Sequence, residues 1–321
     1  MEDIKHYDNT MIEAYRRCPR KFYFRHVRHW TPDYMAKPLA FGLAWHNAMD
    51  AIWKEAKELP KDVLQLVARK AFIESWTENN MPTDDTMLMS IYPRTPGRAG
   101  EMLGYYIDKY YNWFQTIELM EVEISFTVPI GSSAMYMGRL DKVYRDPAVG
   151  NRIIILDHKT TSVMANSWFE SFSPNSQIDG YTYAGKMLYG DDFWGIMIDG
   201  ASVMKGDSKT GKSTDRDMPP GISFPRIPMS RALNQLDAWH WETTESIADI
   251  QFNIELLNGI KDAPFMPAFP KNTTSCFCYG RCIYADICKM IGNPHYQIEN
   301  TPAGFVEDKW DPRTLNEVKG E

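Results

Sequence analysis

"RIIILDHKTT", residues 152–161, is the stretch that decides the fold. Its β-branched and apolar residues lie between turn formers, which predicts a buried strand that ends in two charged residues, Asp157 and Lys159. Residues two apart on a strand point to the same face, so this carboxylate and this ammonium group project together. The segment therefore predicts a chemical site at the end of a buried strand.

The preceding segment supplies a second carboxylate, Asp141. "AMYMGRLDKVYRD" has the composition of a strand, and "PAVGN" after it has that of a turn. A hairpin with that turn sets Asp141 beside Leu156 or its neighbour, within cross-strand reach of Asp157. Two acids and a lysine then meet at one end of the sheet. Because Mg²⁺ prefers oxygen ligands and often binds through one or two carboxylates plus a substrate phosphate, this grouping predicts phosphodiester hydrolysis at a divalent metal site.

The rest of the chain predicts an α/β fold with a central mixed β-sheet flanked by helices. Apolar residues recur at helical spacing through the first third, and strand-like segments dominate the middle. We expect one domain over residues 1–299, followed by a polar tail over residues 300–321. Within the domain, the predicted parts are a helical region at 11–120, the catalytic sheet at 121–230, and a long helix with a cysteine cluster at 231–299.

Composition limits the class of protein. The chain has 321 residues, of which 44% are hydrophobic and 24% are charged, as in ordinary soluble globular proteins. No apolar run approaches the ~20 residues of a membrane span, and the N-terminus lacks the apolar stretch of a secretory signal. These features predict a cytoplasmic protein with no membrane partner. The net charge of −7 gives no overall attraction to nucleic acid, so any such binding must be local.

One segment, "YRRCPRKFYFRHVRHW" at residues 15–30, has the local charge that nucleic-acid binding requires. It contains six arginines and lysines and no acid, interleaved with aromatic residues. Such a mixture can neutralise phosphates and stack on bases, but an amphipathic helix with buried aromatics and solvated charges has the same pattern. Both interpretations stay open. The candidate DNA contacts are Arg16, Arg17, Arg20, Lys21 and Arg25.

The five cysteines are concentrated near the ends of the chain. Four lie in "CFCYGRCIYADIC", residues 276–288, and the fifth, Cys18, lies in the basic segment. In a reducing cytoplasm, clustered cysteines hold metal or do chemistry more often than they form disulfides. Four thiolates suit an iron–sulfur cluster or zinc, and this chain offers one more than is needed.

A phosphate-binding motif also occurs, in "GDSKTGKS" at residues 206–213, which satisfies G-x-x-x-x-G-K-[ST]. A true phosphate-binding loop opens a helix whose N-terminus faces the phosphates. Here the polar, proline-broken segment "TDRDMPPGISF" follows. We therefore predict a lysine-bearing hairpin loop and no ATP binding.

The arrangement of Asp141, Asp157 and Lys159 resembles the PD-(D/E)xK nuclease superfamily. The chain looks most similar to its RecB/AddB-like iron–sulfur branch, which includes nucleases associated with CRISPR adaptation and their phage relatives. The resemblance implies a restriction-endonuclease-like core in which these three residues are catalytic and the two acids bind metal. It further implies that His46, in the Gly-x-x-x-His of "FGLAWHNAMD", and the backbone carbonyl of His158 are metal ligands. Gln177 and Tyr181 match a Gln-x-x-x-Tyr motif of that branch, which implies that both are catalytic; their spacing places them on one helix face, able to address a DNA end or the catalytic lysine.

The same resemblance assigns the cysteines. In iron–sulfur members, one cysteine before the first helices joins three near the C-terminus to hold a 4Fe–4S cluster. This implies Cys18, Cys276, Cys282 and Cys288 as ligands, with Cys278 as the alternative to Cys276. The usual C-x2-C is absent here, and structural zinc is the alternative to the cluster.

The function that the resemblance implies is a Mg²⁺- or Mn²⁺-dependent deoxyribonuclease. We expect an exonuclease that acts on single-stranded DNA or DNA ends in phage recombination, replication or repair, inside the bacterial host cell. The alternative is a catalytically idle, DNA-binding protein of the nuclease fold whose metal cluster is structural. The sequence identifies no protein partner.

Overall fold

A computed structural model describes residues 5–204, 218–259, 263–278 and 280–314. The motif at residues 206–213 lies outside the described residues. The chain divides into two compact units. The cysteine unit comprises Met1–Tyr34, Ser125–Gly138 and Ala232–Glu321, and the sheet unit comprises Met35–Ile124 and Arg139–Arg231. No helix in the described part of the chain has the length and apolar character needed to cross a membrane.

The structure confirms the predicted fold class, a mixed α/β fold with a central mixed sheet flanked by helices. The strands are β1 (His6–Tyr7), β2 (Trp30–Pro32), β3 (Glu118–Ile130), β4 (Ala134–Asp146), β5 (Arg152–Thr161), β6 (Phe193–Ser202), β7 (Arg226–Met229) and β8 (Phe305–Glu307). The α-helices are α1 (Asn9–Arg17), α2 (Pro19–Phe22), α3 (Lys37–Glu55), α4 (Lys61–Glu78), α5 (Asp85–Ile91), α6 (Pro96–Phe114), α7 (Asn166–Glu170), α8 (Ser176–Tyr189), α9 (Leu233–Gly259), α10 (Ala285–Met290) and α11 (Pro294–Gln297).

The main sheet has the strand order β1-β4-β5-β6-β7, with β3 also pairing with β4. β4 and β5 are antiparallel, β5 and β6 are parallel, and β6 and β7 are antiparallel. The β4–β5 hairpin pairs Lys142 with Leu156, one residue from the predicted register. Continued by one step, this register sets Asp141 directly opposite Asp157, so both carboxylates lie on one face of the sheet.

In the sheet unit, β5 is buried because its apolar residues pack on both sides. The core includes side chains from α3, α4 and α6 together with Leu156 and Phe224. α3 and α6 both begin with proline in the first turn, where its missing N–H costs nothing. α3 also carries the histidine of the predicted site.

In the cysteine unit, the helical structure of the basic segment is interrupted at Cys18. Cys18 is extended, with φ −163° and ψ 108°, because the following Pro19 disfavours the α conformation in the residue before it. α2 then starts at Pro19 and runs into a π-helix at Tyr23–Val27. The break leaves the Cys18 thiol at a junction between two helices.

The aromatic residues of the basic segment form the core of the cysteine unit. Phe22, Tyr23, Phe24 and Trp30 are at most 1% exposed, and Phe269 stacks on Phe22 with ring centroids 5.8 Å apart. For these aromatic residues, the structure therefore supports the second interpretation of residues 15–30, in which the aromatic side chains are buried and do not face solvent. They cannot stack on bases where they lie.

The far C-terminal segment also belongs to the cysteine unit. β8, at residues 305–307 of the predicted polar tail, pairs with β2, and the Trp310 indole donates to the carboxylate of Asp8. The predicted division into a domain over residues 1–299 and a tail stays a prediction, as does the cytoplasmic location.

Candidate active site

The sheet unit brings the two predicted aspartates and the lysine together. Asp141 on β4 is 8% exposed, and its Oδ2 accepts a 2.7 Å hydrogen bond from the backbone N–H of His158. Asp157 on β5 is 2% exposed, and its Oδ2 lies 2.7 Å from Nζ of Lys159. The hairpin register thus produces the predicted grouping of two carboxylates and an ammonium group.

The histidine of α3 reaches the same place. Nδ1 of His46 lies 3.3 Å from Oδ2 of Asp141. A third donor is Glu123 on β3: one ligand atom each from His46, Glu123 and Asp141 lie within 4.8 Å of one another. An imidazole and two carboxylates suit a divalent cation such as Mg²⁺ or Mn²⁺, so this donor set could hold a metal ion. It is the one such group of three or more among the residues that the structure describes.

Sequence reasoning missed Glu123, and its backbone shows why it is special. Its φ is +56°, a left-handed conformation that is uncommon for residues other than glycine. Such strain persists where the surroundings fix it, often at functional sites. Here Arg139 holds the side chain, with its Nε 2.7 Å from Oε2 of Glu123. The local sequence carries no turn signal, so only the three-dimensional arrangement identifies this residue.

The carboxylates of the site have displaced pKa values. Burial, together with the charges of Asp141 and Asp50, raises the pKa of Glu123 to about 7. Burial also favours the neutral form of Asp141, but the electrostatic effects of His46 and Lys142 outweigh it and lower the pKa of Asp141 to about 2. Burial raises the pKa of Asp157, and Lys159 only partly opposes this effect. Crowded carboxylates of this kind are stabilised by a bound cation.

α8 positions the lysine. Its N-cap, Asn175, accepts hydrogen bonds from the backbone N–H groups of Gln177 and Ile178, which starts the helix beside the end of β5. Nζ of Lys159 donates to Oε1 of Gln177 at 3.0 Å, and Nε2 of Gln177 donates to the Tyr181 hydroxyl at 3.1 Å. The Tyr181 hydroxyl in turn donates to the carbonyl of Arg139 at 2.8 Å. Of the predicted pair on one helix face, Gln177 thus contacts the lysine of the site, and Tyr181 contacts Gln177.

His158 lies between the two charged residues of β5. Its backbone N–H binds Asp141, whereas its imidazole is 1% exposed and contacts the ring of Trp53 on α3. Side chains alternate along a strand, so this ring lies on the face opposite to Asp157 and Lys159. The predicted contact between a metal ion and the His158 carbonyl stays a prediction.

In the cysteine unit, four cysteines line one cavity of about 650 Å³. Cys278 is not among its lining residues; it is exposed, and its thiol donates to the carbonyl of Thr274. Short backbone hydrogen bonds fix the segment that carries the C-terminal thiols, including one of 2.8 Å from the N–H of Cys282 to the carbonyl of Cys276. The lining cysteines are Cys18, Cys276, Cys282 and Cys288.

The thiols of this cavity need a bound metal to be stable as thiolates. Burial raises the pKa of the Cys288 thiol to about 11, and the neighbouring Cys18 and Cys282 add to the shift. A thiol with that pKa is protonated at neutral pH, so a thiolate at this position requires a metal to hold it. The N–H of Asn272 donates to Sγ of Cys18 at 3.4 Å, a type of contact that orients sulfur ligands. Four converging sulfur donors fit either an iron–sulfur cluster or zinc.

Arg20, one of the predicted DNA contacts, has a different role. It is 2% exposed, and its guanidinium donates to the carbonyls of Phe269 at 2.9 Å and Met266 at 3.2 Å. Buried in this way, it ties the N-terminal helices to the C-terminal segment and does not reach a phosphate. We therefore correct the prediction that Arg20 contacts DNA.

The other four basic residues lie nearer the surface. Arg17 is exposed, and both Arg17 and Lys21 line the cysteine cavity. Arg16 donates to the hydroxyls of Ser246 and Thr243 on α9, and Arg25 pairs with the carboxylate of Asp308 at 3.0 Å. Arg17 and Lys21 are therefore the better placed of the predicted DNA contacts.

Comparison with protein families agrees with the geometry of the sheet unit. A model of the PD-(D/E)XK nuclease superfamily matches residues 9–289, most of the chain. The chain belongs to this superfamily. The PD-(D/E)XK match runs from the start of α1 into α10 and so includes the hairpin of Asp141 and Asp157, the lysine, and all five cysteines. No curated protein sequence matches the chain.

Proposed function

We propose that this PD-(D/E)XK protein is a Mg²⁺- or Mn²⁺-dependent deoxyribonuclease. The observation that carries the proposal is the convergence of His46, Glu123 and Asp141 beside the Asp157–Lys159 pair. We further propose exonuclease action on single-stranded DNA or DNA ends in phage recombination, replication or repair. The overall resemblance of the chain to RecB/AddB-like nucleases supports these finer assignments.

In the proposed reaction, each residue has a distinct task. His46, Glu123 and Asp141 would hold the ion, with Asp157 and the His158 carbonyl as further ligands. When bound, the ion lowers the pKa of a water molecule and neutralises charge on the scissile phosphate. Lys159 places its ammonium group where negative charge develops, and Gln177 holds that ammonium group in position through the 3.0 Å hydrogen bond.

We infer that the cysteine unit holds a 4Fe–4S cluster on Cys18, Cys276, Cys282 and Cys288. The shared cavity supports this set, and the outward position of Cys278 supports Cys276 over Cys278. Analysis of anaerobically purified protein for iron, sulfide and zinc tests the assignment. A brown protein with about four irons and four sulfides per chain supports the cluster. A colourless protein with one zinc would replace it with the zinc alternative.

A digestion assay tests the activity. Labelled single- and double-stranded DNA would be incubated with Mn²⁺ and the wild type, Asp157→Ala or Lys159→Ala, with Lys186→Ala as a matched control because Lys186 is an exposed lysine on α8. We expect cutting by the wild type and Lys186→Ala only. Protein that binds DNA but leaves it whole in every case would establish the idle, DNA-binding alternative.

A further inference from the structure

A row of polar residues crosses the sheet directly behind the candidate active site. His158 on β5 pairs in register with Asp199 on β6, and Asp199 pairs with Arg226 on β7. Direct register partners share a face of the sheet, so the three side chains lie side by side. We call these three residues the buried row. His158 and Asp199 are each 1% exposed, and Arg226 is half-buried.

Asp199 is the centre of this row. Its Oδ2 lies 3.2 Å from Nδ1 of His158 and accepts a 2.5 Å hydrogen bond from the hydroxyl of Tyr106 on α6. Its Oδ1 lies 3.4 Å from Nε of Arg226. The carboxylate thus joins three neighbouring groups, and the loss of its charge would remove the counter-ion that Arg226 has within this row.

The outer end of the row is clamped between aromatic rings. The guanidinium of Arg226 lies 3.7 Å from the ring centroid of Tyr110 and 3.8 Å from that of Trp113. Both residues belong to α6, as does Tyr106. Stacking of a guanidinium on aromatic faces restricts its orientation, so α6 fixes Arg226 and, through it, Asp199.

The inner end of the row reaches the site through the backbone of β5. Residues Ile153–Leu156 are apolar and buried on both faces of the sheet, so their polarity alone does not specify the register, and the β5–β6 ladder contains an irregularity between Ile153 and Ile154. A one-residue slip would turn Asp157 and Lys159 to the wrong face. A buried polar group disfavours such a slip because it would lose its partners. His158 also holds Asp141 through its N–H, so its placement affects both strands of the hairpin.

We propose that Asp199 is a positioning residue: through His158 it fixes the register of β5 and thereby the geometry of the metal ligands. The expected loss of DNA cutting rests on the proposed metal-dependent function. The expected changes in strand register and in metal binding do not require that the protein cuts DNA. Asp199 itself touches neither metal nor substrate.

The test compares Asp199→Asn with Ser202→Ala, a matched control. Ser202 is on the same strand, is equally buried, and donates one hydrogen bond, of 3.2 Å, to the carbonyl of Gly221. Three quantities would be measured: Mn²⁺ affinity by calorimetry, hydrogen–deuterium exchange of residues 152–161, and DNA cutting. We expect Asp199→Asn to weaken Mn²⁺ binding about 10-fold or more and to speed exchange in β5, with Ser202→Ala near the wild type.

The outcomes separate the two proposals. Unchanged exchange in β5 together with unchanged Mn²⁺ affinity in Asp199→Asn would overturn the positioning role, even if the variant is less stable to heat. If the wild type cuts no DNA, the proposed function fails, and the exchange data still decide the role of Asp199.

Should Asp199→Asn not fold, Tyr106→Phe removes one donor to the same carboxylate and keeps the ring. We then expect faster β5 exchange and about 3-fold weaker Mn²⁺ binding, and no change in either would overturn the proposal.

Discussion

The metal-ligand group of the sheet unit and the cysteines of the other unit are built in different ways. In the sheet unit, hydrogen bonds and ion pairs within the protein already hold the donors, including those from His158 to Asp141 and from Arg139 to Glu123. The four thiols come from both ends of the chain and lie around an open cavity. The contrast indicates that the protein preorganises the first site, whereas at the second a metal group would add one more link between distant segments that Arg20 and the aromatic core already connect.

The largest expected effect is on catalysis in the sheet unit. Lys159→Ala should lower the rate of DNA cutting about 1,000-fold. An ammonium group placed where negative charge develops in the transition state accelerates the reaction by about that factor. The fold should remain, since Lys159 lies near the C-terminal end of β5 and the apolar residues Ile153–Leu156 supply the packing. Single-turnover rates and thermal unfolding of the variant would be compared with those of Lys186→Ala. A cutting rate within 10-fold of the wild type would show that this lysine is not part of the reaction.

The next effect is on stability in the cysteine unit. Cys18→Ser should lose the metal group and lower the free energy of unfolding by about 3–5 kcal/mol, because a cross-link between distant segments constrains the unfolded chain. The thermal midpoint should fall by about 10 °C. Cys278→Ser is the matched control, and its exposed position predicts a change below about 0.5 kcal/mol. Equal losses in the two variants would argue against the assigned ligand set and weaken the contrast between the sites.

A pH experiment probes the preorganised site directly. Because the pKa of Glu123 is raised to about 7, this carboxyl is largely protonated below that pH and must release its proton to bind an ion. Mn²⁺ affinity should therefore be about 10-fold weaker at about pH 6 than at about pH 8. Glu123→Gln should bind Mn²⁺ more weakly and lose this pH dependence. A wild-type affinity that is constant over the same range would remove Glu123 from the ligand group.

The same contrast explains how far the sequence could predict the structure. Alternation and turn residues located β4 and β5 at their observed bounds and brought Asp141, Asp157 and Lys159 together, since these residues are near in sequence. Glu123 was missed because its position depends on a left-handed backbone that no local residue signals. Arg20 was misjudged because its partners, the carbonyls of Met266 and Phe269, lie in a distant part of the chain. Sequence patterns therefore predicted the site residues that lie close together in the chain, and not those whose position depends on distant contacts.

The smallest expected effect concerns DNA binding by the cysteine unit. Arg17→Ala should weaken binding of a single-stranded oligonucleotide about 3-fold and reduce the salt dependence of binding by the contribution of about one phosphate contact. Hydrolysis of a small phosphodiester, which has no further nucleotides for strand binding, should be unchanged. Arg313→Ala serves as a control because Arg313 pairs with Asp311 through three hydrogen bonds to its carboxylate. If Arg17→Ala slowed hydrolysis of the small substrate as well, the division between strand binding in one unit and cutting in the other would be wrong.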